Sequence, residues 1–592
     1  MNMMNKTKTN QPTIRAATGR SRTQRLIRNL PVAALTLCVA LFLLPATATA
    51  QIWINNVPNN SVRQLTNTAS SLMVNGNGTY VFTITPTGVV TGTAGVGYTA
   101  GTTTLATPNT IINNGTVGHG NVNRNGLLQN YSNITSARIE GTSATLQNRG
   151  VLENRDNAIV GTATIDGGFG TIINQNNAKI GTLTVNTGNA INRDNAVIDT
   201  AYVSGMMPYS WSLEELPQYD RRGELFGNLE NIGNGHIGTV VVDNYGELDN
   251  RGSIDTVNIY TNSYQYEIPY IIPGLLGTAT GWMPGHVNNL DGGHIGTVNL
   301  DGSNTSSDSF LDLPSLVNDG ENAIIDTVNV YGDGRVINLG KIQSLTTHGN
   351  GQVSNSAFVS IGESAGYIGE LNLNGGSAKN VGSAAVIGTA FLNGGSIVNS
   401  ARIDNLTYIQ GSYSSTQDDF YKYSYALDGI AEYDYAGIGS IGTLTAAGDI
   451  TGNDWGIVEN LQFASDGSGY LTISGYDFFK VEETVDLTNA NLTWDLSNSD
   501  ISWWTDIQDK ASSYSFGLDQ LFGGADVFGD FDTFEVMTAY GNFTFADLAA
   551  RGFTYADGVF MWDIESSVPE PATLAIISLG LAGLGLARRR KA

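Results

Sequence analysis

The sequence predicts an all-β chain folded as a parallel β-solenoid, and a repeated hexapeptide is the first reason. Gly-His-Ile-Gly-Thr-Val occurs at residues 235–240 and again at 293–298, and alignment on its Ile uncovers ten further copies. Most copies follow one another at intervals of about 16 to 20 residues. A unit of that length is too short to bury its own apolar face, so successive units must stack. The twelve anchor residues are Val160, Ile180, Ile198, Ile237, Ile254, Ile295, Ile325, Ile342, Ile368, Ile387, Ile403 and Ile441.

The residues around each anchor predict a strand with one buried face. The positions three and five after the anchor are apolar, as Leu183 and Val185 are after Ile180, which is the alternation of a half-buried strand. Two positions before the anchor the residue is always Ala or Gly, so a larger side chain has no room there. Because the anchors do not recur every six residues, a right-handed β-helix is favoured over a left-handed helix of hexapeptides. A β-propeller needs about twice as many residues per unit.

Asparagine marks one corner of the predicted coils. Stacked at one corner, the amides can form a hydrogen-bonded ladder; alternatively, each Asn is simply a favourable turn residue. Either interpretation makes these residues structural. Five of these asparagines lie six residues before an anchor: Asn154, Asn174, Asn192, Asn231 and Asn289. Three others lie four residues before an anchor: Asn250, Asn338 and Asn399.

The repeats occupy residues 136–446 and are flanked by two ranges without clear copies. A solenoid needs caps because its end coils expose unpaired strand edges. We therefore predict an N-terminal β cap at residues 51–135. Residues 447–567 are predicted to be a C-terminal β region, either a second cap or a small separate domain.

Residues 1–50 have the pattern of a secretory signal peptide. Seven Lys or Arg and no acid precede or flank an apolar run from Leu30 to Leu44, and Ala48 and Ala50 mark a small-residue cleavage site. The apolar run is shorter than a typical membrane-spanning helix. The only cysteine, Cys38, lies inside this segment, so the mature chain is predicted to have no disulfide and no thiolate ligand.

Residues 568–592 contain three parts in order: a Pro-Glu-Pro motif, an apolar segment and a basic cluster. The apolar segment, Ala572–Ala587, is about the minimum length of a transmembrane helix, and a basic cluster after it stays cytoplasmic by the positive-inside rule. The motif residues are Pro569, Glu570 and Pro571 and, in the cluster, Arg588, Arg589 and Arg590. This tail resembles the PEP-CTERM sorting signal of exported bacterial proteins. The resemblance implies an exosortase-type processing enzyme as a partner, with transient membrane anchoring before the cell surface or extracellular matrix.

The net charge of the chain limits the classes of molecule that can bind to it. Of 29 Lys and Arg, seven lie in residues 1–50 and four in the tail, which leaves 18 against 54 Asp and Glu. Residues 51–571 therefore carry a net charge of about -36. Such a surface repels nucleic acid and anionic membranes, so we expect no nucleic-acid partner. Divalent cations are compatible with it, and two acidic stretches, Ser465–Ser468 and Gly529–Asp532, are weak candidates for Ca²⁺ binding.

The position after the anchor holds an aspartate in four copies: Asp199, Asp255, Asp326 and Asp404. Such a column resembles those of β-helix polysaccharide lyases and glycosidases. At least one coil without Asp separates any two of them, so neighbours are about 10 Å or more apart. That spacing is at or beyond the limit for an inverting carboxylate pair and too long for a retaining pair. Solvated turn aspartates are the preferred interpretation.

The position before the anchor holds histidine in two copies, His236 and His294, but accepts any residue elsewhere. The two histidines are at least two coils apart and cannot bind one metal ion together. Catalytic motifs such as G-x-S-x-G, H-E-x-x-H and the P-loop are absent from the sequence. We therefore predict no catalytic and no metal-ligating residue.

Three aromatic insertions interrupt the repeats and are the candidate recognition loops. They follow the strands that contain Asp199, Asp255 and Asp404, and we expect them to emerge along one edge of the solenoid; alternatively, they fold back as a lid. Their aromatic residues include Tyr209, Trp211, Tyr264, Tyr266, Tyr270, Trp282, Tyr421 and Tyr423.

Two functions remain open at this stage. The preferred one is a non-catalytic, exported surface or matrix protein, for which the PEP-CTERM resemblance implies a role in adhesion, biofilm or exopolysaccharide association. The alternative is a polysaccharide-active β-helix enzyme, a lyase or a glycoside hydrolase. An enzyme needs carboxylates or bases that converge within about 10 Å, whereas a scaffold needs only continuous coils.

Overall fold

The structure is a computed structural model of the 592-residue chain. It describes residues 50–54, 63–75, 80–97, 108–140, 149–166, 170–205, 226–267, 278–303, 313–356, 365–382, 384–415, 438–451, 455–474, 479–498, 514–539, 541–550, 552–556 and 559–562. Nearly all of these residues form β-strands or the short turns between them. The prediction of an all-β chain with parallel strands is confirmed.

The strands are numbered along the chain. Strands β1 to β15 are Ala50–Ile54, Arg63–Leu65, Thr68–Val74, Val81–Ile84, Val89–Val96, Asn109–Asn113, Thr116–Val122, Gly126–Asn130, Asn133–Ile139, Val151–Asn154, Ile159–Ile165, Thr171–Asn174, Lys179–Val185, Gly188–Arg193 and Val197–Val203. Strands β16 to β30 are Gly227–Val242, Glu247–Glu267, Thr278–Pro284, His286–Asn289, His294–Gly302, Ser315–Asn318, Ile324–Gly332, Arg335–Asn338, Lys341–His348, Gln352–Ser356, Tyr367–Asn374, Ser377–Val381, Val386–Asn399, Arg402–Ser414 and Ser440–Ala446. Strands β31 to β41 are Asp449–Thr451, Ile457–Phe463, Tyr470–Ser474, Val481–Asp486, Asn491–Leu496, Tyr514–Gly517, Asp526–Phe528, Thr533–Thr538, Gly541–Thr544, Phe553–Ala556 and Val559–Trp562. A 3-10 helix spans Leu518–Phe522, and one short α-helix, α1, spans Phe545–Ala550.

Each coil contains a short strand and a long strand joined by tight turns. The short strand β12 pairs in parallel with β10 on one side and β14 on the other, while the long strand β13 pairs with β11 and β15. The chain therefore returns to the same face once per coil. In β16, β17, β28 and β29 the short and long strands of one coil run on without a break, so that one named strand pairs on both faces.

The parallel stack is longer than the 136–446 range of the predicted repeats. On the long-strand face, parallel pairing runs back through β9, β7 and β5 to β3 and forward through β32 and β34 to β37, with local register shifts near both ends. On the short-strand face it resumes through β31, β33, β35 and β38. Antiparallel pairing joins β17 to β18 within the stack and, at its C-terminal end, β38 to β39 and β41 to β36 and β40.

The anchors and their apolar partners fill the interior between the two faces. Ile180, Leu183 and Val185 of β13 are fully buried, and each pairs with its counterpart one coil on. The short strand adds one apolar side chain per coil, such as Ile172, and then an Asn. The predicted alternation of buried positions is therefore present.

Thirteen asparagines form a continuous ladder at the end of the short strands, and all are fully buried. The Nδ2 of each of the first twelve donates to the Oδ1 of the Asn one coil on, over 2.7–2.9 Å. The second Nδ2 hydrogen faces a backbone carbonyl, such as that of Val197 for Asn174, at 3.1 Å. The ladder interpretation of the eight predicted Asn is thus confirmed. The members in order are Asn113, Asn130, Asn154, Asn174, Asn192, Asn231, Asn250, Asn289, Asn318, Asn338, Asn355, Asn380 and Asn399.

The ladder also explains why the position two before the anchor is always small. A Cβ added at Gly235 would lie 2.5 Å from Oδ1 of Asn231, and one added at Gly293 would lie 2.4 Å from Oδ1 of Asn289. Carbon cannot approach an amide oxygen that closely without displacing it. The chain turns around the buried amide, and in these two coils the residue that passes it must be Gly, while other coils have Ala, such as Ala178 and Ala196.

Among the described residues, no helix is long and apolar enough to span a membrane. The transmembrane helix predicted in the tail lies outside the described residues.

We predict that Asn231→Ala lowers the free energy of unfolding by about 1–3 kcal/mol, because it leaves Oδ1 of Asn250 and Nδ2 of Asn192 with a lost partner inside the stack. The measurement is the midpoint of urea unfolding, with amide hydrogen exchange at Val240 and Val257 reporting on the neighbouring strands. Asn288→Ala is the control, since Asn288 lies on the outer side of β19 and bonds to Asp249. Equal effects from both substitutions would contradict a special role for the ladder.

Candidate functional site

The outer surface of the long strands brings the predicted Asp and His columns together. Lys179 Nζ lies 2.8 Å from a carboxylate oxygen of Asp199, His236 Nε2 lies 3.5 Å from Asp255, and His294 Nε2 lies 3.1 Å from Asp326. In each pair the basic residue precedes the anchor of one coil and the Asp follows the anchor of the next. Asp199, Asp255 and Asp326 therefore each contact a basic side chain of the preceding coil rather than being simply solvated.

The fourth aspartate is paired within its own strand. Arg402 Nε lies 2.6 Å from Asp404, and Arg402 Nη1 reaches Glu459, 3.1 Å away and two coils further on. The intervening coil has Gly442 at the matching position, so no side chain blocks the reach. The hydrogen bonds to Asp404 and then Glu459 raise the pKa of the Arg402 guanidinium above its ordinary value.

Sequence reasoning missed these pairs although the sequence contains the signal. When the residues before the twelve anchors are compared only with one another, the position accepts any residue type. Comparing it with the column of the next coil shows that Lys179, His236 and His294 each precede an Asp by one coil.

The pairs are exposed on the outer surface of the long strands. The side chains of His294 and Asp326 are 49% and 52% exposed, so solvent screens their attraction. Within the described ranges, no group of three or more His, Cys, Asp or Glu is placed to hold a metal ion.

The two acidic stretches considered for Ca²⁺ lie in turns near the end of the stack. The Asp466 carboxylate accepts hydrogen bonds from the hydroxyl and the backbone N–H of Ser468. These bonds, the hydroxyl first, lower the pKa of Asp466. Asp530 and Asp532 lie between β37 and β38, and a Cβ added at Gly467 would lie 3.5 Å from an oxygen of Asp532. The carboxylate of Asp466 thus stabilises its own turn.

Two of the aromatic insertions leave from the same turn, after a long strand. Gly205 and Phe226 form an antiparallel bridge at the base of the first insertion, and Tyr209 and Trp211 lie outside the described residues. The second begins as a hairpin in which Thr261–Glu267 of β17 pair with Thr278–Pro284 of β18. The backbone of Tyr264 and Tyr266 belongs to β17 and that of Trp282 to β18, while Tyr270 lies outside the described residues.

The third insertion leaves from the opposite turn, so the expectation that all three share one edge was wrong. After the long-strand part of β29 the chain makes a turn, and Ser412–Ser414 pair with the short-strand residues Ser396–Val398. The insertion follows that short strand, and Tyr421 and Tyr423 lie outside the described residues. One additional short strand between Asp404 and the insertion moved it to the other corner.

Tyr413, in the short-strand part of β29 just before the third insertion, closes the Asn ladder. It is in register with the buried Ile397, and its hydroxyl accepts a hydrogen bond from Nδ2 of Asn399 at 3.1 Å. Its ring stacks on Trp455, with centroids 4.8 Å apart and planes 5° from parallel. Burial raises the pKa of Tyr413 above its ordinary value, although the bond from Asn399 acts in the opposite direction. This tyrosine is a structural cap and not part of a recognition loop.

We predict that Tyr413→Phe destabilises the chain by about 1–2 kcal/mol at pH 8, because Asn399 loses its acceptor. A raised pKa means that the folded state favours the neutral phenol, so its contribution is complete below about pH 10 and declines as the pH rises further. Urea midpoints between about pH 8 and 11 should therefore fall more for the parent chain than for Tyr413→Phe. Tyr202→Phe, on an exposed outer position, is the control; a parallel pH dependence in parent and variant would contradict the assignment.

A double-mutant cycle on His294→Ala and Asp326→Ala should give a coupling energy below about 1 kcal/mol, which weakens between about 0.15 and 1 M salt. The physical reason is the exposure of both side chains. The matched cycle pairs Asp326→Ala with Lys480→Ala on a distant coil and should give no coupling. A coupling above about 2 kcal/mol would mean that the pair is desolvated by something that covers it.

The two sorting segments lie almost entirely outside the described residues. Ala48 is outside them, and Ala50 begins β1, which continues to Ile54. The six sorting-motif residues, Pro569, Glu570, Pro571, Arg588, Arg589 and Arg590, are also outside them.

The fold defines an all-β chain of stacked parallel strands, and residues near the C-terminus match a known sorting motif. A family model described as the PEP-CTERM protein-sorting motif matches residues 567–591. The chain therefore carries a PEP-CTERM motif at the predicted place, which marks it as an exported protein with exosortase-dependent processing. No curated protein matches the chain.

Proposed function

We propose that this chain is a non-catalytic, right-handed β-solenoid that serves as a surface or extracellular-matrix scaffold. The observation that carries the proposal is the unbroken Asn ladder through thirteen coils together with the C-terminal sorting motif. A ladder of this kind makes the interior uniform, so successive coils add length and surface rather than a cleft. A role in adhesion or in association with exopolysaccharide fits such a surface.

The charged residues on the long strands support a scaffold. Each aspartate of the Asp column faces a basic residue within 3.5 Å. In two of these contacts, Lys179 with Asp199 and Arg402 with Asp404, an ion pair occupies a carboxylate oxygen, which supports a structural role for these aspartates. The alternative function, a polysaccharide lyase or glycoside hydrolase, would need a site built from other residues.

The route of export forms part of the proposal. Residues 1–50 act as a signal peptide cleaved after Ala50, and the apolar segment of the tail spans the membrane until an exosortase acts at the Pro-Glu-Pro motif. The chain then reaches the cell surface or matrix. Retention of the uncleaved tail would instead leave it as a membrane-anchored surface protein.

Replacing Pro569, Glu570 and Pro571 together by Ala should move the chain from the surface or extracellular fraction to the membrane fraction, because the tail anchor is no longer processed. Cell fractionation with immunodetection of the body measures this. Tyr202→Ala, on the outer surface of β15, is the control and should fractionate like the parent chain.

Purified protein that contains residues 51–567 should release no oligosaccharide and no unsaturated product from a panel of neutral and acidic polysaccharides. Product release that survives Asp326→Asn would point to an active site elsewhere on the chain. Product release of any kind would overturn the non-catalytic part of the proposal.

A further inference from the structure

Four neighbouring coils present a row of side chains at the outer end of the long-strand face. The row contains Tyr260 of β17, Asp301 of β20 and Tyr331 of β22, which lie in register with one another, and His348 of β24 continues it. The rings of Tyr260 and Tyr331 are 39% and 41% exposed. We call these four residues the tyrosine row.

A second row of amides runs beside the tyrosine row, two residues earlier in each strand. Nδ2 of Asn299 donates to Oδ1 of Asn258 at 2.9 Å, and Nδ2 of Asn329 donates to Oδ1 of Asn299 at 3.0 Å. Because each amide bonds to the next, their orientations are fixed. The result is a flat polar strip that lies next to exposed aromatic rings.

Local contacts hold the Tyr331 ring and the Asp301 carboxylate of the tyrosine row in place. The Tyr331 ring stacks on His348, with centroids 5.1 Å apart and planes 8° from parallel. One carboxylate oxygen of Asp301 accepts the backbone N–H of Ser303 at 2.9 Å. A ligand that binds here would meet side chains that are already ordered, which lowers the entropic cost of binding.

The spacing of the row fits an extended sugar chain. Tyr260 and Tyr331 are two coils apart, about 10 Å, with Asp301 midway between them. In a β-1,4-linked polysaccharide every second ring presents the same face, and its apolar C–H face can stack on an aromatic ring. The sugar between two stacked rings would then place its hydroxyls over Asp301 and the amide strip.

We propose that the tyrosine row and the amide strip bind a neutral β-1,4-linked polysaccharide along the stack. The proposal rests on the scaffold function above and names the ligand class of its surface. Neutral chains are favoured because residues 51–571 carry a net charge of about -36, which repels uronic-acid polymers. The hydrogen-bonding groups that flank the rings match hydroxyls better than they match an apolar protein surface.

The test is binding of the full body, residues 51–567, to insoluble cellulose, measured as a depletion isotherm. The double variant Tyr260→Ala/Tyr331→Ala should bind about tenfold or more weakly, since each lost stacking contact contributes a factor of several. Tyr331→Phe should bind like the parent chain because the ring remains. Tyr470→Ala removes an exposed tyrosine of the short-strand face, outside the row and the amide strip, and should leave binding unchanged.

Alginate, a polymer of uronic acids, is the charged comparison and should not compete with cellulose. Absence of binding by the parent chain, or full binding by the double variant with intact folding, would overturn the proposal. Equal loss in Tyr470→Ala would also overturn it, because binding would then not depend on the row. None of these results affects the scaffold function, which is decided separately by fractionation and by the product-release assay.

Discussion

The interaction on which the rest of the structure depends is the hydrogen bond between one buried Asn and the next. At the corner where a short strand ends, backbone groups leave the parallel ladder and would face the interior without partners. An Asn side chain offers an acceptor and two donors, so it can bond to its neighbours above and below and to a local carbonyl at once. Asn250 does all three: its Oδ1 accepts from Nδ2 of Asn231, and its Nδ2 donates to Oδ1 of Asn289 and to the backbone carbonyl of His294.

The ladder imposes constraints on its surroundings and leaves the outside free. The passing residue at the turn must be small, as Gly235 and Gly293 are. The outward positions carry no such restriction, which is why charged pairs, tyrosines and long insertions occur there. An insertion between two strands does not disturb the ladder if the chain returns in register, as it does between β15 and β16, where Asn192 still meets Asn231.

Much of the fold could be predicted because the repeat has two strictly limited columns, the anchor and the small residue before it. The coils upstream of residue 136 were harder to identify, since their anchors include Val117 and Val90 and no hexapeptide copy marks them. Five ladder members were also missed. Asn318 and Asn380 lie seven residues before their anchors, and Asn355 lies thirteen before its anchor, because turn length varies while the position in the ladder does not.

The site was less predictable than the fold, because residues from different coils meet only through strand register. The pairing of His294 with Asp326 and the row from Tyr260 to Tyr331 depend on which strands are neighbours in space.

All amides of the ladder point the same way, with Nδ2 toward the C-terminal end at every step. Each Asn therefore accepts a hydrogen bond from the preceding coil and donates one to the next coil. A whole coil added or removed in the middle leaves both neighbours with the same partners, and only Tyr413 must remain as the last acceptor. The height of the stack is thus adjustable in steps of about 4.8 Å by duplication of one repeat, without redesign of the interior.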